Sequence, residues 1–413
     1  MTAPVAKIDA FAHVLTAPVR AHLEQRAPAY LASPNIVARP ALWDLAARRE
    51  MIDRYPGYRQ ILTLTLPSLD EVADPPEVPE LCRRSNDWLA ELVAPDRQRY
   101  AGFAAEVGLP DVDFAIGEAQ RAVGDLGALG VQIYTNAAGR PLDQPEFTAF
   151  FEALLALDVP IWVHPNRPRS FADYPGEEAS RYGLHQKFGW PYETSVFMAR
   201  MIYGGAFRRW PDLRILTHHA GGIVPHLAGR LVLHHETREM RRSWGIPEDF
   251  EADEVVDGYR RFYGDTVFSG AHHPLSCALE FFGPDRLLFA TDMPYGADGG
   301  DLFIRETMAA VTEALDDPVE REVVFHGNAR RVLGVEPRAR RRVLASSATT
   351  PRRTPGGRHR RRARPRRDRS VSAGGAGARP PGRPRCRVAS ARRPSGLLRK
   401  GRRTTGMARA NRR

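Results

Sequence analysis

The stretch LRILTHHAGG (residues 213–222) decides how this chain is read. Its opening is apolar without the alternation of a strand that keeps one face wet. VPIWVH (159–164) and RLLFATD (286–292) behave the same way. Runs of this kind belong to strands covered on both faces, as in a parallel sheet wrapped by helices. Each also ends on a side chain able to do chemistry: a histidine pair, His164 and Asp292.

Working outward, eight candidate strands fall at 7–9, 61–66, 100–104, 130–134, 160–164, 213–218, 261–266 and 287–292. Helical patterns lie between them. DFAIGEAQRAVGDLGALG (113–130) repeats apolar residues at helical spacing and stops on glycine. PEFTAFFEALLALD (145–158) opens with proline in the first turn, where no backbone donor is needed. YETSVFMARMIYGGAFRRWPD (192–212) reads as one helix ending before Pro211, and further helices are expected over 43–54, 85–93, 223–241, 274–282 and 301–315. Eight strands alternating with helices over some 335 residues predict an α/β fold of the (β/α)8 TIM-barrel type, for which ~250 residues is usual. A doubly wound open sheet is the alternative, but no G-x-G-x-x-G follows an early strand. Two irregular stretches, 15–41 and 166–192, follow strand ends and so would build the mouth of a barrel.

Charge divides the 413-residue chain in two. Of 60 basic residues, 27 lie in 338–413 beside one acid, Asp368, which leaves 33 basic against 48 acidic groups in the rest. An acidic body gives no electrostatic basis for specific nucleic-acid binding. Residues 1–336 are expected to form the barrel and 337–413 a disordered basic tail. That tail has no aromatic residue and no isoleucine to offset the entropy of ordering. It reads either as a nonspecific polycation or as a shifted reading frame of a GC-rich gene, and the abrupt change after ARRVLGVEP favours the second. Three cysteines without C-x-x-C spacing exclude a thiolate zinc cluster and suit a reducing compartment. No signal peptide and no membrane-length apolar run is evident, so a cytoplasmic chain is expected.

Four motifs sit at expected strand ends: IDAFAH with His13, IWVHP with His164, ILTHHAGG with His218 and His219, and LLFATDMPYG with Asp292. All strand ends of one sense meet on one face of a parallel barrel, so these donors converge as a site for a divalent metal. Each alone has a plainer reading: a packed histidine, a strand stop before Pro165, a helix cap at Asp292. Side chains alternate along a strand, so only one of His218 and His219 is expected to look inward.

Together with GVQIYTN, the segment ETSVFMARMIYGGAFRRWPDLRILTHHAGG, FYGDT and HGNARRVLGV, these motifs resemble the amidohydrolase-related family. The branch is that of aminocarboxymuconate semialdehyde decarboxylase and the resorcylate and carboxyvanillate decarboxylases. The resemblance runs from Lys7 to Val335. It implies a TIM barrel, one divalent metal (Zn²⁺, or Mn²⁺ as the alternative), and ligands at His13, His164 and Asp292. It also implies an acid/base role for His219, shared with Asp292, and leaves His218 as a packing residue. The family's first strand carries H-x-H or E-x-H; here Phe11 stands where the first donor would be and cannot coordinate. A small aromatic or unsaturated carboxylic acid is the implied substrate and decarboxylation the implied reaction. Hydrolysis or hydration on the same scaffold, and a noncatalytic protein with a relic site, are the alternatives. Arg49, Arg167 and Trp190 are the substrate-contact candidates, with Phe188 extending an aromatic wall and His272 and His273 near the mouth. A homodimer is expected.

Overall fold

The structure, a computed structural model, describes residues 5–65, 67–232 and 236–335. The expected tail at 337–413 lies outside the described residues.

Eight parallel strands form the centre. These are β1 (Lys7–Val14), β2 (Tyr58–Leu64), β3 (Tyr100–Glu106), β4 (Gly130–Tyr134), β5 (Ile161–His164), β6 (Ile215–Thr217), β7 (Gly264–Asp265) and β8 (Leu287–Leu288). The first six pair in sequence order, and β7 pairs with β8. Backbone hydrogen bonds close the ring on both sides of the short pair. Tyr263 N donates to Ile215 O and Thr217 N to Tyr263 O, while Ala10 N donates to Phe289 O and His13 N to Met293 O. Nearest-neighbour order and consistent parallel pairing make this the expected barrel rather than an open doubly wound sheet.

Register brings the chemistry to one level. His13 stands opposite Thr63, Tyr134 opposite His164, and Val163 opposite Thr217. Gly130 is required at the start of β4, because a Cβ there would lie 2.1 Å from the Pro160 carbonyl oxygen. Ile8, Phe11, Ile61, Trp162, Leu216 and Leu288 fill the barrel interior, and Trp162 crosses it to donate to Ala10 O at 2.8 Å. A larger apolar layer, including Phe103, Phe150, Phe197 and Phe262, seals the strands against the helices.

Several expected elements differ. The helix over 192–212 divides into Trp190–Tyr203 and Ala206–Arg209 around left-handed Gly205. The helix expected over 223–241 is instead a short 3-10 turn, Pro225–Arg230, and a separate helix, Arg238–Ser243. Pro225 and Gly229 leave that stretch too little helical drive to continue. Within 15–41, expected to be irregular, Ala17–Arg26 is helical and packs Val19 and Leu23 inward. An amphipathic helix, Ala252–Arg260, packs Val255, Gly258 and Tyr259 inward.

Candidate active site

Each candidate donor reaches the mouth from a different element. His13 ends β1 and is 1 % exposed; its Nδ1 pairs with Thr63 Oγ1 at 3.0 Å, which turns Nε2 into the barrel. His164 ends β5, and its Nδ1 donates to the Pro165 carbonyl at 2.8 Å, leaving Nε2 as the free donor atom. Asp292 follows β8 in a left-handed conformation, with φ of 65°. Strain of this sort is held in place by surrounding bonds. Buried Asp9 supplies them: it accepts from Thr291 N at 3.1 Å, Thr291 Oγ1 at 2.5 Å, Tyr58 Oη at 2.5 Å and Phe11 N at 3.1 Å. The β8 exit is thereby bolted to β1.

The histidine pair departs from strand alternation. β6 stops at Thr217, and His219 and Ala220 are left-handed, with φ of 54° and 47°. The chain therefore twists so that both imidazoles reach the cluster, and His218, expected to be a packing residue, lies among the candidate donors. It is fully buried, its ring lying 5.1 Å from that of His164 and 5.5 Å from that of His13. Its Nδ1 pairs with the buried Asp265 carboxylate at 2.6 Å. The turn is clamped onto the helix Trp190–Tyr203: Ile223 N donates to Ser195 Oγ, and a Cβ on Gly222 would lie 2.1 Å from Pro191 O. This is why the segment from 193 to 222 reads as one distinctive unit.

Asp292 Oδ1 lies 3.1 Å from His13 Nε2 and 3.4 Å from His218 Nε2, within ion-pair reach of both, although neither buried nitrogen makes a hydrogen bond. Two sets of donor atoms converge within 4.8 Å: His13, His164 and His218; and His218, His219 and Asp292. The expected trio of His13, His164 and Asp292 is not itself one of these sets: His164 groups with His13, Asp292 with His219, and His218 belongs to both. Phe11 packs against it, with ring centroids 4.2 Å apart.

Electrostatics separate the four imidazoles. Burial lowers the pKa of His13, and burial with the neighbouring His218 and His13 holds His164 well below its ordinary value. Burial also disfavours charge on His218, but the Asp265 and Asp292 carboxylates outweigh it and push its pKa up to about 9. Burial beside His218 drives His219 down to about 3. Burial alone would raise Asp292, but contact with His13 and His218 holds it below the usual carboxylate range.

A cavity of about 350 Å³ opens over this cluster, lined by His164, Trp190, His219, Asp292, Tyr295 and Arg39 among others. Trp190 stands edge-on to His164 at 5.6 Å. Arg167 lines an adjoining cavity of about 710 Å³ and is paired with Glu193 at 2.8 Å. Arg49 points away: the helix Leu45–Asp53 buries Arg48, Met51 and Ile52, which leaves Arg49 46 % exposed near Asp96. Phe188 is 72 % exposed, so it forms no wall, and His272 and His273 begin an outer helix exposed to solvent. Sequence reasoning missed Asp265, whose signal was an acid at a strand end in FYGDT, and Asp9, which carried no motif signal beyond IDAFAH.

Known proteins resemble this chain along most of the described length. The amidohydrolase family matches residues 8–335. A gamma-resorcylate decarboxylase of Polaromonas sp. is 31 % identical over 62 % of this chain and 79 % of its own length. A 2-amino-3-carboxymuconate-6-semialdehyde decarboxylase of Dictyostelium discoideum is 24 % identical over 71 % of this chain and 78 % of its own. Among solved structures, a 2,6-dihydroxybenzoate decarboxylase complexed with 2,6-dihydroxybenzoate superposes with a TM-score of 0.65 at 25 % identity, covering 80 % of this chain and 99 % of the other. A dihydroxybenzoic acid decarboxylase from Polaromonas sp. with bound manganese and 2-nitroresorcinol gives 0.64 at 25 % identity, covering 80 % and 97 %. Matched along nearly its whole described length, and carrying the histidine and aspartate donors at the strand ends, the chain belongs to the amidohydrolase family and to its carboxy-lyase group.

Proposed function

We propose that the chain is a nonoxidative decarboxylase of a small aromatic carboxylic acid, working with one divalent metal, Zn²⁺ or Mn²⁺. The observation that carries this reading is the pair of overlapping donor sets at the strand ends, His13 with His164 and His218, and His218 with His219 and Asp292, in which the buried Nε2 atoms of His13 and His218 both face the Asp292 carboxylate outside hydrogen-bond geometry. Buried polar atoms are nearly always satisfied, so two such nitrogens facing one carboxylate fit a cation between them. His13, His164 and Asp292 would hold the ion, and His218 would supply the donor that Phe11 cannot. The Asp265 carboxylate accepts the His218 Nδ1 proton in a hydrogen bond and aims Nε2 at the site, where a bound cation would take the place of the second proton that the neighbouring carboxylates favour.

A bound divalent ion supplies Lewis-acid charge that draws in the substrate's oxygens and offsets negative charge as it builds there. The chain's own residues do the rest. Trp190 and Tyr295 form the walls against which a flat ring lies. His219, in the same cavity and with an unpartnered buried Nδ1, moves the proton. Burial beside His218 favours its neutral form, and an anionic acid bound beside it would favour the charged one. It then gives the proton to the ring carbon bearing the carboxylate. The carbon–carbon bond breaks, CO2 leaves, and the bond's electron pair returns to the ring. The substrate's conjugation serves as electron sink, so no organic cofactor is required.

We further propose a cytoplasmic homodimer in which residues 1–336 form the catalytic unit. The test is CO2 release from a panel of ortho-hydroxybenzoates by metal-loaded protein, run beside hydrolysis of aromatic lactones. Release of CO2 that disappears in His219→Asn supports the proposal. Lactone hydrolysis alone would make the chain a hydrolase, and neither reaction on any panel member would leave a relic site.

A further inference from the structure

Resting on that reading, we propose that Arg39 is the specificity residue of this site and that it selects substrates with a second, retained anionic group. The cations near the cluster differ in what already holds them. Arg167 is already paired with Glu193, and Arg49 lies away from the cavity beside Asp96. Arg39 lines the cavity with His164, His219 and Asp292, and among the described residues no carboxylate pairs with it. Its Nε is buried with no hydrogen-bond partner, while Nη1 donates to the Asn35 carbonyl. The guanidinium rests 5.0 Å from the centre of the Tyr295 ring. Tyr295 is itself fixed, with its Oη 2.5 Å from Thr65 Oγ1 and its ring 5.8 Å from that of His13. One aromatic ring thus touches both the cation and the metal-type cluster. Lys187 lines the same cavity and adds positive charge.

A guanidinium held at one end and unpaired at the other is preorganised for a planar anion. It does not suit the carboxylate that departs. That group loses its charge as CO2 forms, so a strong pair with it would stabilise the ground state against the transition state. Arg39 therefore holds the other end of the molecule. The substrate class is a ring acid with two anionic substituents, one reacting at the histidine and aspartate cluster and one kept on Arg39.

Binding of unreactive analogues tests this without turnover. Calorimetry on the metal-loaded full chain would compare isophthalate and terephthalate with benzoate, in wild type and in R39M. At least one diacid is expected to bind wild type about tenfold or more tighter than benzoate, the scale of one charge-assisted contact. R39M should remove that advantage and leave benzoate affinity within about twofold. R39K, which keeps the charge and loses the fork, should retain part of the advantage and stands in if R39M does not fold. For a reactive diacid, R39M should raise KM more than it lowers kcat. Equal binding of mono- and diacids by wild type, or equal losses for both in R39M, would overturn the proposal. A diacid preference lost in R39M, in a protein releasing no CO2 from any acid, would sink the decarboxylase reading and leave this anion site standing.

Discussion

At the scale of single residues, the site turns on Phe11 and His218. A benzyl group occupies the position of an expected donor, and an imidazole lies 4.2 Å from it with a free Nε2. Phe11→His should raise metal affinity about tenfold or more, measured by chelator competition, because a fifth donor joins a preformed set. Unchanged or weaker binding would mean that the pocket has been rebuilt around the ring. His13, His164 and Asp292 were legible as strand-end donors because each closes an apolar run. The role of His218 was not, since alternation along an ideal strand gives no hint that His219 and Ala220 turn left-handed. Arg39 was equally hidden, because which arginines are neutralised by carboxylates is a fact of tertiary structure. Glu106, at the end of β3, gives a separate residue-scale test. Burial pushes its carboxyl up to about 8, so it folds as the neutral acid. The folded state then binds the proton more tightly than the unfolded chain. Stability from this group is full below the ordinary glutamate range and is lost as pH rises from about 4.5 to about 8. Glu106→Gln should leave the melting temperature near pH 4.5 unchanged and raise it at pH 8; a parallel shift at both values would contradict this.

At the scale of elements, strand ends deliver the donors and hydrogen bonds aim them. Asp9 ties β1 to the residues after β8, and so sets Asp292 relative to His13. Asp9→Ala strips several buried donors of their acceptor, a change costing about 2–4 kcal/mol by ordinary hydrogen-bond values. Denaturant unfolding should register that loss, and metal affinity should fall with it because Asp292 loses its anchor. Full retention of both would show that the β8 exit is held by other contacts. The eight strands were legible from short apolar runs between helical patterns, several of them, such as VPIWVH, without alternation. The region after β6 was not, because Pro225 and Gly229 outweigh a helical pattern of apolar residues. The extent of the last two strands was overestimated, since ladder pairing there is replaced by single backbone bonds that sequence does not encode.

For the whole molecule, the described barrel closes on itself and holds an interior core of its own, while charge composition sets 338–413 apart. Truncation after Val335 should leave activity and melting temperature unchanged, and a loss of either would make the basic segment part of the enzyme. The proposed function depends on one metal ion held by His13, His164, His218 and Asp292. Elemental analysis after reconstitution with Zn²⁺ or Mn²⁺ and gel filtration tests it most directly. About one equivalent is expected in wild type and less than about a tenth in His164→Ala with the same fold by circular dichroism. No retained metal in wild type, or equal metal in the variant, would contradict the account.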